Sequence, residues 1–334
     1  MAAAHPPVTW IPDGAELLRT RRLVEHDLVP DDGVVALVGA HHFEPGDPLL
    51  GAPEIPRLRP VLVALAARAA GATEVDGETQ YVAELLHLAL MVHDVALGRE
   101  GGRRRRVARR LLRRSVSFLT GNHLTLRALE VARSRRPELS DAILETLREF
   151  ADGQALVRTL QQGVVPDQED WAHHANTHTG ALFGFCCRAG GVVAAADLAE
   201  RSALGRYGRA LGRVWHVAED VSALRHGDAG HHLLTRALEG RPVLPVVVAA
   251  DHDPAIGRAW ADLVVSPSLI GAEHLAGRVL AAGGLTRAAQ VMVRDAWTAR
   301  QALRRLPPSP FRDALDALPD RLARAAVRGA PRAS

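Results

Sequence analysis

The segment Val82 to Leu97, VAELLHLALMVHDVAL, constrains this chain more than any other. Read at 3.6 residues per turn it predicts a buried helix, with Val82, Leu85, Leu86, Ala89 and Val92 along its apolar side. The interruptions are Glu84, His87, His93 and Asp94. The last two close the helix just before the polar, glycine-bearing segment Gly98 to Gly102. So charge-poor a helix belongs inside a larger helical assembly, and its polar end is either a solvated terminus or the rim of a site.

The rest of the composition agrees with a helical body. Of 334 residues only 4% are aromatic, and the apolar content is mainly Ala, Leu and Val, enough for a sizeable core. Cysteine occurs only as the adjacent Cys186 and Cys187, which build no disulfide framework; this predicts a reducing, cytoplasmic location. The start MAAAHPPVTW lacks the charged and apolar regions of a signal peptide, and no apolar run reaches bilayer-spanning length. All the basic residues are arginine. A compositional bias of that kind explains Lys-to-Arg exchanges.

Several motifs, in order, resemble those of the trans-isoprenyl (polyprenyl) diphosphate synthases. The end of the first helix, His93-Asp94-Val95-Ala96-Leu97-Gly98, resembles that family's HDDxxD with one of three carboxylates kept. Upstream, Arg57-Leu58-Arg59-Pro60 is similar to the tail of GKRLRP, with Pro56 at the lysine position. His87 matches a histidine that touches the homoallylic diphosphate. Ala89 and Leu90 stand where aromatic side chains would floor the prenyl tunnel, so the resemblance implies an apolar cavity lined by Ala89, Leu90, His93 and His216 and not plugged at that level. Gly121-Asn122-His123 stands near a Gly-Asp pair that opens another helix. His178-Thr179-Gly180 occupies the KTA position, and Leu204 to Leu224 resembles LxxYGxxLGxAFQIxDDxxD through Tyr207, Gly208, Leu211 and Gly212. There the three aspartate positions read Glu219, Asp220 and Ala223, and the glutamine is His216. Gly240-Arg241-Pro242-Val243-Leu244-Pro245 lies close to GKxTLP, after His231 and His232 in a flexible connection with a short helix.

The resemblance implies an all-α isoprenoid synthase fold, a bundle of long helices around a central apolar cavity. It makes residues 13–328 one domain between a flexible N-terminus (1–12) and a flexible C-terminus (329–334). Arg57, His87, Arg103, Arg104, His178 and Arg241 become the diphosphate-binding candidates. Magnesium takes hard oxygen ligands in octahedral geometry, and only Asp94, Glu219 and Asp220 remain to supply them, enough for one weakly held ion. No catalytic residue is assigned. His173, His174 and His178 lie on one helix, but only the His174–His178 spacing suits joint ligation; they read as surface or mouth-lining histidines rather than as a zinc site.

Function divides into three expectations. The first is a catalytically silent or impaired subunit, forming a homo- or hetero-oligomer with an intact homologue through two central helices. The second is an active prenyltransferase or terpene synthase with a reduced metal site; the third is an isoprenoid-binding protein. The run Arg103 to Arg114 makes a basic amphipathic face that suits solvent, an acidic partner protein or an anionic membrane surface. Nucleic acid is excluded because no aromatic residues are interleaved to stack bases.

Periodicity and breakers also set helix limits. Helices are expected from Pro12 or Asp13 to Leu28, with a short apolar continuation Val34 to Gly39, then Leu124 to Arg133 and Ser140 to Gln162, the latter N-capped by Ser140. Towards the C-terminus they are expected near Pro254 to Val264, Pro267 to Ala281, Leu285 to Leu306 and Pro310 to Val327.

Overall fold

The computed structural model describes residues 58–97, 114–226 and 228–328. The expected helix Pro12/Asp13 to Leu28, the Val34 to Gly39 run, both terminal segments, Arg57, and the loop and arginine run up to Arg113 lie outside the described residues. Among the described residues every regular element is helical.

The longest helix, α7 (Leu198–His226), is the axis of the fold. Leu204, Tyr207, Leu211, Val214, Ala218 and Val221 are at most 1% exposed, and this spacing of three and four residues puts an unbroken apolar stripe along its length. Against α7 pack α6 (Ala181–Val193), α12 (Gly284–Ala302) and α13 (Pro310–Arg328). The Tyr207 hydroxyl, buried at mid-helix, donates to the Leu315 carbonyl of α13 at 2.7 Å, which satisfies that buried polar group. On the other side of α6 lies α1 (Leu58–Ala69), which also touches α2 (Gly77–Leu97); α2 in turn packs along α3 (Arg114–Arg135). The expected inner face of α2 is confirmed: Val82, Leu85, Leu86 and Ala89 are all buried.

A second, smaller core joins α8 (Ala229–Glu239), α9 (Leu244–Ala250), α10 (Pro254–Val265) and α11 (Leu269–Ala281) around Leu233, Ala237, Val246, Trp260 and Leu275. Its helix starts are written locally. Asp228, Asp253 and Ser268 each accept a backbone N–H of the first turn, and Pro254 supplies the preset φ of an N1 position. At the end of α8, Gly240 adopts φ 71°, so the chain turns sharply into Arg241. This core fixes the roll of α8: with Leu233 and Ala237 inward, His232 and Arg236 face the end of α7.

Two expected boundaries move. The third helix runs unbroken from Arg114 through Gly121-Asn122-His123, which therefore lie inside a helix rather than opening one. At Gly121 the His93 ring of α2 packs directly against this helix: a Cβ there would lie only 2.8 Å from the ring. The next helix, α4 (Glu138–Leu160), begins two residues before Ser140, with Pro137 preceding it and no side-chain cap. Its end is set as expected by Gly163, at φ 85°. The C-terminal helices fall within a few residues of their expected limits, although the expected connection Gly227 to Gly240 is mostly the eleven-residue α8.

Gly208 and Gly212 explain the tight crossing of α7 on α6. A Cβ on Gly208 would lie 2.2 Å from the Phe183 carbonyl oxygen, and one on Gly212 would lie 2.7 Å from the Gly180 Cα. Both obstacles are backbone, which cannot step aside cheaply. Gly208→Ala is therefore expected to destabilise the protein by about 1–3 kcal/mol in urea denaturation. Gly277→Ala, within α11 with nothing inside 4 Å of the new methyl, is expected to be neutral or to stabilise by up to about 1 kcal/mol.

Candidate diphosphate and metal site

The candidate residues converge on the end of the bundle where α2, α4, α7 and α8 meet. The last turns of α2 carry His93 and Asp94. The Asp94 carboxylate accepts a hydrogen bond from Gln154 of α4 at 3.1 Å and forms an ion pair with Arg241, which projects from the turn after α8. His178 Nε2 stands 3.9 Å from the same carboxylate. The Arg241 turn is fastened from below, since the Gln161 side-chain amide donates to the Glu239 carbonyl at 3.1 Å. Burial lowers the Arg241 pKa to about 10, so the guanidinium is still charged at neutral pH.

At the end of α7, Asp220 is fully buried. His232 Nε2 donates to its Oδ1 at 3.0 Å, and Arg236 stands 3.6 Å from the same oxygen and 3.7 Å from Glu219. Burial alone would push the Asp220 carboxyl up, but the His232 hydrogen bond and the Arg236 charge overcome it and hold the group below its ordinary value. Burial likewise opposes the Arg236 charge, and Asp220, Glu219 and Glu239 outweigh it, so its pKa rises. The second Asp220 oxygen, Oδ2, has no hydrogen-bond partner.

Between these two ends lies a layer of histidines. Residues Asn176–Gly180 form a single π-helical turn joining α5 (Gln168–Ala175) to α6, a local bulge that re-aims His178 and Thr179. The rings of His174 and His178 lie 5.5 Å apart and those of His174 and His216 5.3 Å apart, while the Thr179 hydroxyl lies 3.4 Å from His178 Nδ1 and 3.5 Å from His216 Nδ1. Burial holds the pKa of both His178 and His216 down to about 4, and that of His174 well below its usual value. At neutral pH these rings are uncharged. His174 is not a surface group: it is 1% exposed and neither ring nitrogen has a hydrogen-bond partner.

The structure brings Asp94, His178 and Arg241 together at one point and His216, Glu219 and Asp220 near another. Ala89 and Leu90 are packed within the main core. His93 is half-buried against Phe118, its ring edge-on at 5.5 Å, and His87 is half-buried further back on α2. Arg57, Arg103 and Arg104 lie outside the described residues. The three carboxylates Asp94, Glu219 and Asp220 do not form one ligand set: among the described residues no group of three His, Cys, Asp or Glu side chains is disposed to hold a metal ion. Sequence reasoning missed Arg236, Glu239 and Gln154. The signal for the first two was the helical spacing His232, Arg236, Glu239, which puts them on one face of α8.

Comparison with known proteins settles the family. Residues 55–263 match the family model described as polyprenyl synthetase. The chain belongs to the polyprenyl synthetase family. It is 28% identical over 317 residues to nonaprenyl diphosphate synthase of Mycobacterium tuberculosis, covering 92% of this chain and 91% of that one. It is also 27% identical over 273 residues to octaprenyl diphosphate synthase of Escherichia coli, covering 78% of this chain and 82% of the relative. The fold is that of polyprenyl synthetase from Streptomyces coelicolor, with a TM-score of 0.72 at 23% identity over 95% of this chain and 99% of that one. The expected all-α isoprenoid synthase fold is thus correct. No helix among the described residues is long and apolar enough to cross a membrane.

The buried neutral histidines set a pH dependence. Their folded pKa, about 4, lies below the ordinary 6.5, so between these values the unfolded chain binds more protons. Stability is therefore expected to fall as the pH drops from about 6.5 towards 4, and His216→Gln is expected to flatten that slope in urea midpoints measured across the window. An unchanged slope in the variant would remove His216 from the account.

Proposed function

We propose that this family member is a catalytically silent or impaired subunit that supports an intact polyprenyl diphosphate synthase homologue. The observation that carries the reading is the state of Asp94. It is the one carboxylate left at the first aspartate cluster, and it is bonded to Arg241 and Gln154 of its own chain. Val95, Gly98 and Ala223 stand at three further positions where the family has aspartate, and none can ligate a metal. Prenyl transfer requires the departing diphosphate's negative charge to be neutralised, which is the electrostatic work metal ions perform in such sites. The donor set here does not fit that metal cluster: among the described residues no three His, Cys, Asp or Glu side chains are grouped to hold an ion.

The subunit half of the proposal is supported by exposed apolar side chains on the neighbouring helices α3 and α4. Phe118 and Leu119 are about half exposed, Leu126 is 60% exposed on α3, and Leu144 of α4 is 39% exposed. Side chains of this size in solvent on neighbouring helices favour a covering partner.

A second reading, a working prenyltransferase with a reduced metal requirement, is favoured by the near full-length similarity to enzymes described as prenyl diphosphate synthases. One assay separates the two. The purified chain, given magnesium, isopentenyl diphosphate and an allylic diphosphate, is expected to turn over at least about 100-fold more slowly than an intact homologue, the typical effect of losing even one charge-stabilising group. Co-expression with that homologue is expected to give a mixed complex that makes product. Turnover by the unaided chain at a rate comparable with the homologue, abolished in Asp220→Ala, would establish the second reading instead.

A further inference from the structure

The ion pairs at this end of the bundle are continuous. Starting at α7, Glu219 and Asp220 face Arg236 at 3.7 Å and 3.6 Å; Arg236 faces Glu239 at 3.9 Å; Glu239 faces Arg241 at 3.5 Å; and Arg241 closes on Asp94 at the end of α2. Carboxylate and guanidinium alternate from one helix end to the other. Most of it is sheltered: Arg236, Arg241 and Glu239 are 11–16% exposed, Asp94 is 20% exposed and Asp220 is not exposed at all, while Glu219, at 32%, reaches solvent. His232 adds its hydrogen bond to Asp220 at the α7 end, and Gln154 adds one to Asp94 at the α2 end.

We propose that Arg236 and Arg241 are resident cations, which with Glu239 as the bridge between them take the place of divalent metal and tie the ends of α2 and α7 together. The inference deepens the subunit reading and rests on it. An alternative is that the carboxylates form an ordinary metal site temporarily closed by side chains. Two observations favour the resident-cation arrangement. First, both arginines come from one short stretch whose geometry is imposed elsewhere: α8 is rolled into place by Leu233 and Ala237 in the second core, and the turn at Gly240 is held by Gln161. Second, Glu239 stands 3.9 Å from Arg236 and 3.5 Å from Arg241, so one carboxylate meets both guanidiniums. A magnesium ion needs oxygen ligands at about 2.0–2.1 Å in near-octahedral array. A dication drawing on Asp94, or on Glu219 with Asp220, would sit directly against a guanidinium that repels it. Both guanidiniums keep their charge at neutral pH, Arg241 at a pKa lowered to about 10 and Arg236 at one raised by its carboxylate neighbours, so the obstruction stands there.

The test uses the full chain and metal alone. Manganese(II), as a paramagnetic probe of the magnesium site, is titrated while the free-ion electron paramagnetic resonance signal is followed, and thermal melting is compared in magnesium chloride and in sodium chloride of equal ionic strength. The wild-type chain is expected to leave the manganese signal at its free-ion intensity and to melt at the same temperature in both salts. Arg236→Gln with Arg241→Gln uncovers four carboxylates, and is expected to bind manganese at least tenfold more tightly than wild type. Manganese bound by wild type as tightly as by the double variant, or a wild-type melting temperature raised by magnesium specifically, would overturn the proposal; the second measurement decides the matter even if the variant does not fold. Neither result is confused with the fate of the subunit reading. Product made by the unaided chain would defeat that reading whatever the manganese result, whereas tight wild-type manganese binding without product would defeat only the resident-cation proposal.

Discussion

A charge held inside a helical bundle has to be answered by an opposite charge, because desolvating it costs several kcal/mol. That constraint organises the functional end of this protein. Asp220 has no exposure and Asp94 little, so each requires a cation, and the fold supplies Arg236 and Arg241 from α8 and the turn after it. Removing one member would leave its partner buried and unpaired, which is far costlier than losing a surface pair. The local order of α2, α7 and α8 at their meeting point follows from this mutual dependence.

The apolar architecture makes the arrangement available. Gly208 and Gly212 let α7 approach the α6 backbone and the π turn closely, which brings the His216 and Asp220 end of α7 beside His178 and Thr179. The second core then sets α8 across that end. Because His174 and His216 are buried and His178 is partly buried, the rings between the two ion-paired ends remain neutral at pH 7 and contribute volume and weak hydrogen bonding rather than charge. The site consequently has its positive charge at fixed guanidiniums, two side chains drawn from a single stretch of six residues.

Much of the fold was legible because helical periodicity, capping residues and glycine stops act locally. Pro254 announces its helix, and the Tyr207, Gly208, Leu211, Gly212 series carries the family resemblance in the part of the chain whose backbone packing tolerates no side chain. The failures are nonlocal. Nothing near Gly121 in sequence says that the His93 ring will occupy the space beside it, and nothing near Ser140 says that the helix will begin two residues early. At the site, Asp94, His178, His216, Glu219, Asp220 and Arg241 could each be named from motif position, but not who would pair with whom. Arg236 and Glu239 gain their role only from the roll of α8 that Leu233 and Ala237 set, and His174, expected at the surface or the mouth, is buried near the end of α5.

The central claim is that Asp94 and Arg241, distant in sequence, are energetically one unit. A double-mutant cycle with Asp94→Asn, Arg241→Gln and both together, read by urea unfolding, measures this directly. A coupling energy of about 1–3 kcal/mol, with the double variant more stable than the two single losses added together, is the expected result. A coupling within the roughly 0.3–0.5 kcal/mol scatter of independent sites would contradict it.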